Sequence, residues 1–220
     1  MKDDAFILFL RYPEPGQVKT RIARKLGNDR ACELYRCFMK DIAVMSHGVC
    51  AETILVYSGP ENAVFPDFTG IRCIRQKGEG IGERMYYALT DVFALGFKRC
   101  VLIGSDSPDL PERMVNEAFD RLVSHDVVLG PSCDGGYYLI GCNRAALCRS
   151  IFSDIPWSTG GVLSATLNRI AEAGLLYTQL EEWSDIDEIE DLNLFYKRND
   201  HQKTMYQTMK YLDTIGIVHV

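Results

Sequence analysis

Apolar residues recur along this chain in two rhythms. Short β-branched or continuously apolar runs end in turn residues at Ala5–Leu10, Thr53–Tyr57, Arg72–Arg75, Arg99–Gly104, Asp126–Gly130 and Tyr137–Gly141, which predicts strands. Between them, Asp29–Ser46, Gly82–Leu95, Pro111–Ser124, Gly161–Ala173 and Ile189–Lys197 place apolar residues three and four apart, which predicts helices. Pro111 suits a first helical turn, where a missing N–H costs nothing. The stretch from Asp200 to Val220 passes from polar to apolar and predicts a final packing helix with a tail. Strands alternating with helices imply a mostly parallel sheet covered on both faces, with ligands bound beyond the carboxyl ends of its strands. No repeat, linker or low-complexity tract interrupts the pattern, so residues 1–220 are expected to form one domain.

Composition narrows the class. An isoelectric point near 5.3 argues against a general nucleic-acid binder. No apolar run approaches the roughly 20 residues of a membrane span, and MKDDAFILFLRYPEPG lacks the pattern of a signal peptide, so a cytoplasmic protein is expected. Eight cysteines are scattered without a C-x-x-C pair, and the four histidines show no ligand spacing. Neither a zinc site nor a disulfide framework is therefore expected. Cys133 adjoins a motif described next but is expected to be inert.

Four loops carry the candidate chemistry. The first is RYPEPGQVKTRIARKLG, where a chain of net charge -6 sets Arg11, Lys19, Arg21, Arg24 and Lys25 just after its first strand. Gly16 would let backbone approach a ligand, and a helix begun by Gln17–Arg21 would add free N–H groups. Arg11, Lys19, Thr20 and Arg21 suit a diphosphate, whereas Arg24 and Lys25 are expected in solvent; a plain basic helix is the alternative. The second is GSDSPDL after the strand at 99–103. Asp106 there is the prime candidate for a Mg2+ or Mn2+ ligand, and Asp109 for a helix cap.

The third loop lies in GPSCDGGYYLIG. Asp134-Gly135-Gly136 reads first as a hairpin turn, with a small acceptor near Asp134 and Tyr137 as the alternative. The fourth is EEWSDIDEIEDL, whose crowded acids read either as a solvated helix start or as a source of a second metal ligand, Asp185 or Asp187. Asp191, further into that helix, is expected to be passive.

Together PEPGQVKTRIARKLG, GSDSPDL, PSCDGGYYLIG and DIDEIEDL resemble a bacterial family of nucleotide-diphospho-sugar transferases of the DUF2064 type. More loosely they resemble the 2-phospho-L-lactate guanylyltransferases, through the K-[ST]-R-[LI], D-x-P-x-L and D-G-G segments. The resemblance runs from about Phe6 to Leu192. It implies a GT-A-like fold, a three-layer α/β/α sandwich around a mostly parallel mixed sheet, and a metal-dependent glycosyltransferase using a nucleotide-diphospho-sugar and a small-molecule acceptor. Nucleotidyl transfer with pyrophosphate release, or nucleotide binding without turnover, are the alternatives.

The resemblance assigns the divalent ion to Asp106 and Asp187, and the leaving diphosphate to Lys19 and Arg21. It places QKGEGIGERM near base and ribose, so that Gln76, Gly80 and Arg84 become nucleotide contacts. It also gives meaning to DIPWSTGGV: Trp157 becomes a platform for a sugar, with a buried core tryptophan as the alternative, while Ser158 and Thr159 supply hydroxyls and a helix cap. Asp134, Gly135, Gly136 and Tyr137 complete the substrate side, with Asp134 the candidate base. The L-x-x-G-x-G-x-R loop of enzymes that make activated sugars is absent, which favours a diphosphate donor.

Overall fold

The computed structural model of the chain describes residues 3–202 and 206–217. The strands are β1 (Asp4–Arg11), β2 (Glu52–Ser58), β3 (Arg72–Arg75), β4 (Arg99–Ile103), β5 (Val127–Pro131), β6 (Tyr137–Asn143) and β7 (Tyr177–Gln179). The helices are α1 (Thr20–Leu26), α2 (Asn28–Ser46), α3 (Ile81–Phe93), α4 (Glu112–Arg121), α5 (Val162–Glu172), α6 (Ile189–Arg198) and α7 (Gln207–Ile215). All six expected strands and all five expected helices are present, with ends shifted by a few residues. Helix α7 is the packing helix expected near the C-terminus; the last part of the expected tail, 218–220, lies outside the described residues. No helix among the described residues is long and apolar enough to cross a membrane.

The strands form one sheet in the order β3-β2-β1-β4-β6-β5-β7, with β6 antiparallel to both neighbours and every other pairing parallel. The central strands read as unbroken apolar runs because both faces are covered. Along β1, Phe6, Leu8 and Leu10 pack toward α1, α2, α4, α6 and α7, while Ala5 and Ile7 pack toward α3 and α5. Leu8 pairs with Leu55 on one side and Ile103 on the other, and Ile103 pairs with Leu139. The loops after β1 and β4 therefore open at one edge of the sheet. Because β6 runs backwards, the loop before it opens there too.

Candidate active site

That shared edge holds a cleft of about 690 Å3. Arg11, Lys19, Thr20, Arg21, Asp106, Asp185 and Asp187 line one side; Gln76, Arg84, Asp134, Gly136, Tyr137, Trp157, Ser158 and Thr159 line the rest. Gly16, Gly80 and Gly135 do not line it and shape its loops instead. Gly16 turns at φ +77°, and Gly80 caps α3.

The cation loop departs from expectation in one respect. No helix begins at Gln17, whose N–H bonds the Glu14 carbonyl in a turn at 3.0 Å. Helix α1 starts at Thr20 and ends within seven residues at Gly27, which takes φ +83°. The helix start therefore sits three residues later than expected, at Thr20 in the cleft wall, with no side chain capping it.

Lys19 is the centre of the arrangement. Its side chain is only 4% exposed, and its ammonium meets Asp106 Oδ1 at 2.5 Å and Asp187 Oδ1 at 3.2 Å. It donates as well to the Ile186 carbonyl at 2.5 Å. Three oxygens thus saturate its three donors. Burial alone would lower the Lys19 pKa, but the two carboxylates outweigh it and the net shift is upward. Residue 19 holds a left-handed backbone, φ 46° and ψ 46°, rare for a residue with a side chain and maintained where surroundings enforce it.

The other cations are freer. Arg21 is 56% exposed, 3.7 Å from Asp187 and 3.9 Å from Glu188. Arg11 donates to the Gln17 carbonyl at 2.8 Å. Arg24 and Lys25 are exposed, as expected, and Lys25 also pairs with Glu190 at 2.6 Å outside the cleft.

Two loops bring the acids together. Asp106 follows β4, and its carbonyl accepts the Ile186 N–H at 2.9 Å, joining this loop to the acidic one. Asp185 also lines the cleft; burial, and then the charges of Asp134, Asp187 and Asp106, push its carboxyl up to about 6. Asp191 corrects the passive role expected of it. Its Oδ2 accepts the N–H of Asp187 at 2.9 Å and of Glu188 at 2.8 Å, one half of a capping box that fixes Asp187. The acid three residues after Glu188 is the spacing that betrays such a box.

Asp109 is corrected too. It caps nothing: α4 starts from Pro111 without a side-chain cap. Instead it lies buried against Arg198, at 2.6 and 2.7 Å, and Asn199, at 2.6 Å. Sequence reasoning also missed Tyr35, whose buried hydroxyl bonds Ser105 Oγ at 2.8 Å and the Arg11 carbonyl at 3.1 Å. It locks the ends of β1 and β4 to each other, 24 residues from one partner and 70 from the other, a separation that no local motif signals.

Across the cleft, Asp134 forms the expected turn. Its Oδ1 accepts the Ser132 hydroxyl and the Gly136 N–H, the latter at 2.8 Å, while Oδ2 accepts no hydrogen bond among the described residues. Gly135 sits at φ +86° against the Gly160 backbone, where a Cβ would collide, and its carbonyl accepts the Leu163 N–H at 2.9 Å. Tyr137 offers the cleft its ring only. Its hydroxyl is buried facing that of Thr166 without reaching hydrogen-bond geometry, and burial raises its pKa.

Trp157 is half-buried, edge-on to Tyr137 at 6.4 Å and seated on Gly82, where a Cβ would lie 2.7 Å from the indole. Thr159 is not the cap of α5; Gly161 is, and the Thr159 hydroxyl donates to the Pro156 carbonyl at 2.7 Å. Ser158 is exposed at φ 64°. Gln76 spends both amide hydrogens on the carbonyls of Leu10 and Val56, each at 3.1 Å, and Arg84 bonds the Gly78 carbonyl at 3.2 Å.

The donor set suits a hard cation. Among the described residues, no three His, Cys, Asp or Glu side chains form a ready-made cage. A Mg2+-like ion needs none, since it takes one or two carboxylates and completes its shell from substrate phosphates and water. Asp106 and Asp187 are the cleft carboxylates that would offer such a pair; the Asp185 carboxyl beside them is pushed up first by burial and then by the charges of Asp134, Asp187 and Asp106.

Comparison with known proteins bears on the fold and the family. Residues 42–159 match a family model described as "Uncharacterized protein conserved in bacteria (DUF2064)". A crystal structure from Desulfovibrio desulfuricans, provisionally named a nucleotide-diphospho-sugar transferase, is 33% identical; the alignment covers 99% of this chain and 97% of that one, with a TM-score of 0.91. CMP:2-keto-3-deoxy-manno-octonic acid synthetase, solved with CTP, shares the fold at 14% identity, with 90% and 99% coverage and a TM-score of 0.57. So does Rv0371c of Mycobacterium tuberculosis, solved with manganese, at 13% identity, with 92% and 100% coverage and a TM-score of 0.52. No curated protein matches the chain.

Proposed function

Because the chain belongs to the DUF2064 family and has the fold of nucleotide-diphospho-sugar transferases, we propose that it transfers a glycosyl group from a nucleotide-diphospho-sugar to a small acceptor. One observation carries this reading: a buried ammonium bridging two aspartates beyond the carboxyl ends of β1 and β4, inside a cleft wide enough for a nucleotide. Arg11, Lys19, Thr20 and Arg21 seat the diphosphate. Gln76 and Arg84 bound the nucleoside side, while Trp157, Ser158, Thr159 and Gly136 bound the sugar and acceptor. Charge-assisted hydrogen bonds from the cations stabilise the charge that grows on the departing diphosphate.

Asp106 and Asp187 would hold a Mg2+ or Mn2+ ion, whose chemistry is Lewis-acid neutralisation of phosphate charge. Asp134 keeps Oδ2 for an acceptor hydroxyl, and Oδ1 orients it through Ser132 and Gly136. A proton leaving the acceptor passes to that oxygen.

A second reading, nucleotidyl transfer, draws support from the count of cations. Arg84 joins Arg11, Lys19 and Arg21 on the cleft walls, enough positive charge for a triphosphate. Incubation with nucleotide-diphospho-sugars, and separately with nucleoside triphosphates and phosphorylated acceptors, separates the two. Release of nucleoside diphosphate is expected; pyrophosphate release instead would establish the second reading.

A further inference from the structure

Lys19 and a divalent cation have claims on the same atoms. The ammonium touches Asp106 Oδ1 and Asp187 Oδ1, and its third donor is taken by the Ile186 carbonyl on the loop that carries Asp187. The Asp106 and Asp187 side chains, both lining the cleft, are 47% and 44% exposed, while the lysine that bridges them is buried over the Phe38 ring at 5.6 Å. A doubly charged ion drawing on these two carboxylates would meet a full positive charge already in place, and like charges so close repel. The lysine is also the stronger occupant before ligand arrives, being covalently tethered and buried with all three donors satisfied.

We infer that Lys19 is the resident counter-ion of the acidic pair and makes cation binding conditional on nucleotide. In the free protein it bridges Asp106 and Asp187 and keeps cations from binding tightly by themselves. When a diphosphate enters, its oxygens offer the ammonium an alternative partner; Lys19 turns to them and releases carboxylate oxygens to the cation. Phosphate and cation therefore bind cooperatively through one side chain, and linkage requires the effect to be equal in both directions. The inference rests on the proposed diphosphate and cation seat, and it adds a sign that the seat alone does not carry. A lysine that only bound phosphate would leave cation affinity untouched when removed. A resident counter-ion raises it.

The test is titration of Mn2+, followed by calorimetry and by the electron-spin signal of the free ion, into wild type and Lys19→Met, each with and without inorganic pyrophosphate. For wild type, weak binding of Mn2+ alone and much tighter binding with pyrophosphate are expected. For Lys19→Met, Mn2+ alone binds about tenfold or more tightly than to wild type, and the enhancement by pyrophosphate shrinks by a similar factor, within the usual span of coupling between sites. Equal or weaker Mn2+ binding by Lys19→Met, with pyrophosphate-dependent binding intact in wild type, overturns the inference and leaves the cation seat standing. Absence of Mn2+ binding to either protein, with or without pyrophosphate, overturns both.

Should Lys19→Met fold poorly, the wild type carries the test. A brief pulse of acetic anhydride, read by mass spectrometry, should label the Lys19 amine slowly in free protein, faster at saturating Mn2+, and slowly again when pyrophosphate is added. A labelling rate unchanged by Mn2+ overturns the inference.

Discussion

Asp106 and Asp109 stand three residues apart on the same loop, and each faces a cation from a distant part of the chain. Asp109 is 1% exposed and spends both oxygens on Arg198 and Asn199, with the Trp183 indole N–H at 3.4 Å. Asp106 meets one ammonium and leaves half its carboxylate open to the cleft. A carboxylate whose hydrogen-bonding capacity is exhausted by the protein can only hold the fold. One with capacity to spare can exchange partners. The difference between structure and function here is a count of unused lone pairs, not a difference of residue type.

Substitutions should separate the two aspartates cleanly. Asp109→Ala strips the half-buried Arg198 guanidinium of both carboxylate bonds, leaving it the Ser184 carbonyl at 3.2 Å, and takes one acceptor from the buried Asn199 amide, so it should cost about 2–3 kcal/mol in urea denaturation, a sizeable share of a typical domain's stability. A loss below about 1 kcal/mol would mean that Arg198 finds another partner and the contrast is overstated.

Asp106→Asn should do the reverse. It should lower the urea midpoint less than Asp109→Ala, because Asn keeps an oxygen for the buried Lys19 ammonium and Asp187 keeps its charge, yet weaken Mn2+-dependent nucleotide diphosphate binding by more than the 10–100-fold that outer contacts to a metal site are worth. Unchanged binding in calorimetry would return Asp106 to a structural role.

Asp191→Ala sharpens the contrast from one residue further out. It keeps every cleft-lining carboxylate but frees the backbone that aims Asp187, so cation-dependent binding should fall about tenfold. The helix content by circular dichroism should barely change. An effect on stability without one on binding would make Asp191 a cap and nothing more.

The acidity of the cleft gives a pH test. Folding raises the Asp185 pKa from 3.8 to about 6, so between these values the folded protein holds a proton that the unfolded chain has lost. The stability this proton contributes is fully present below the unfolded value and is lost as pH rises through about 6. Asp185→Asn should flatten that part of the stability profile, and Mg2+ should lower the apparent pKa followed by carboxyl NMR. A profile unaltered by the substitution would show that the surplus charge is dissipated elsewhere. The smallest effect belongs to Lys25→Ala, which should change neither melting nor diphosphate binding, its partner Glu190 being on the open surface.

The contrast also explains what could be read before the structure. The central strands were legible because burial on both faces demands continuous apolar runs, as in Phe6–Leu10. Strand β7 was not, since Tyr177–Gln179 is a three-residue edge strand with no apolar alternation to signal it. Helix α1 was placed too early because the turn before Lys19 mimics a helix start, and only the left-handed residue 19 ends it. In the cleft, Asp106 and the acidic segment announced themselves by charge at the end of an apolar run. The roles of Asp109 and Asp191 did not. Asp109 takes its meaning from residues 89 and 90 positions away, and Asp191 from backbone N–H groups that every sequence has.

The docking of Gly135 on Gly160 has a mechanical consequence. It fuses the loops around Asp134 and Trp157 into one stiff jaw, held by backbone contact and by packing over Gly82. The opposite jaw, carrying Lys19 and Asp187, is tied to the Asp106 loop by the buried Lys19 ammonium and by the Ile186 N–H on the Asp106 carbonyl, and rests on the core through Val18, Ile22 and Ile186. Salt screens the exposed Lys25–Glu190 pair but hardly the buried Lys19 ammonium, so both sides of the mouth should keep their spacing as ionic strength rises.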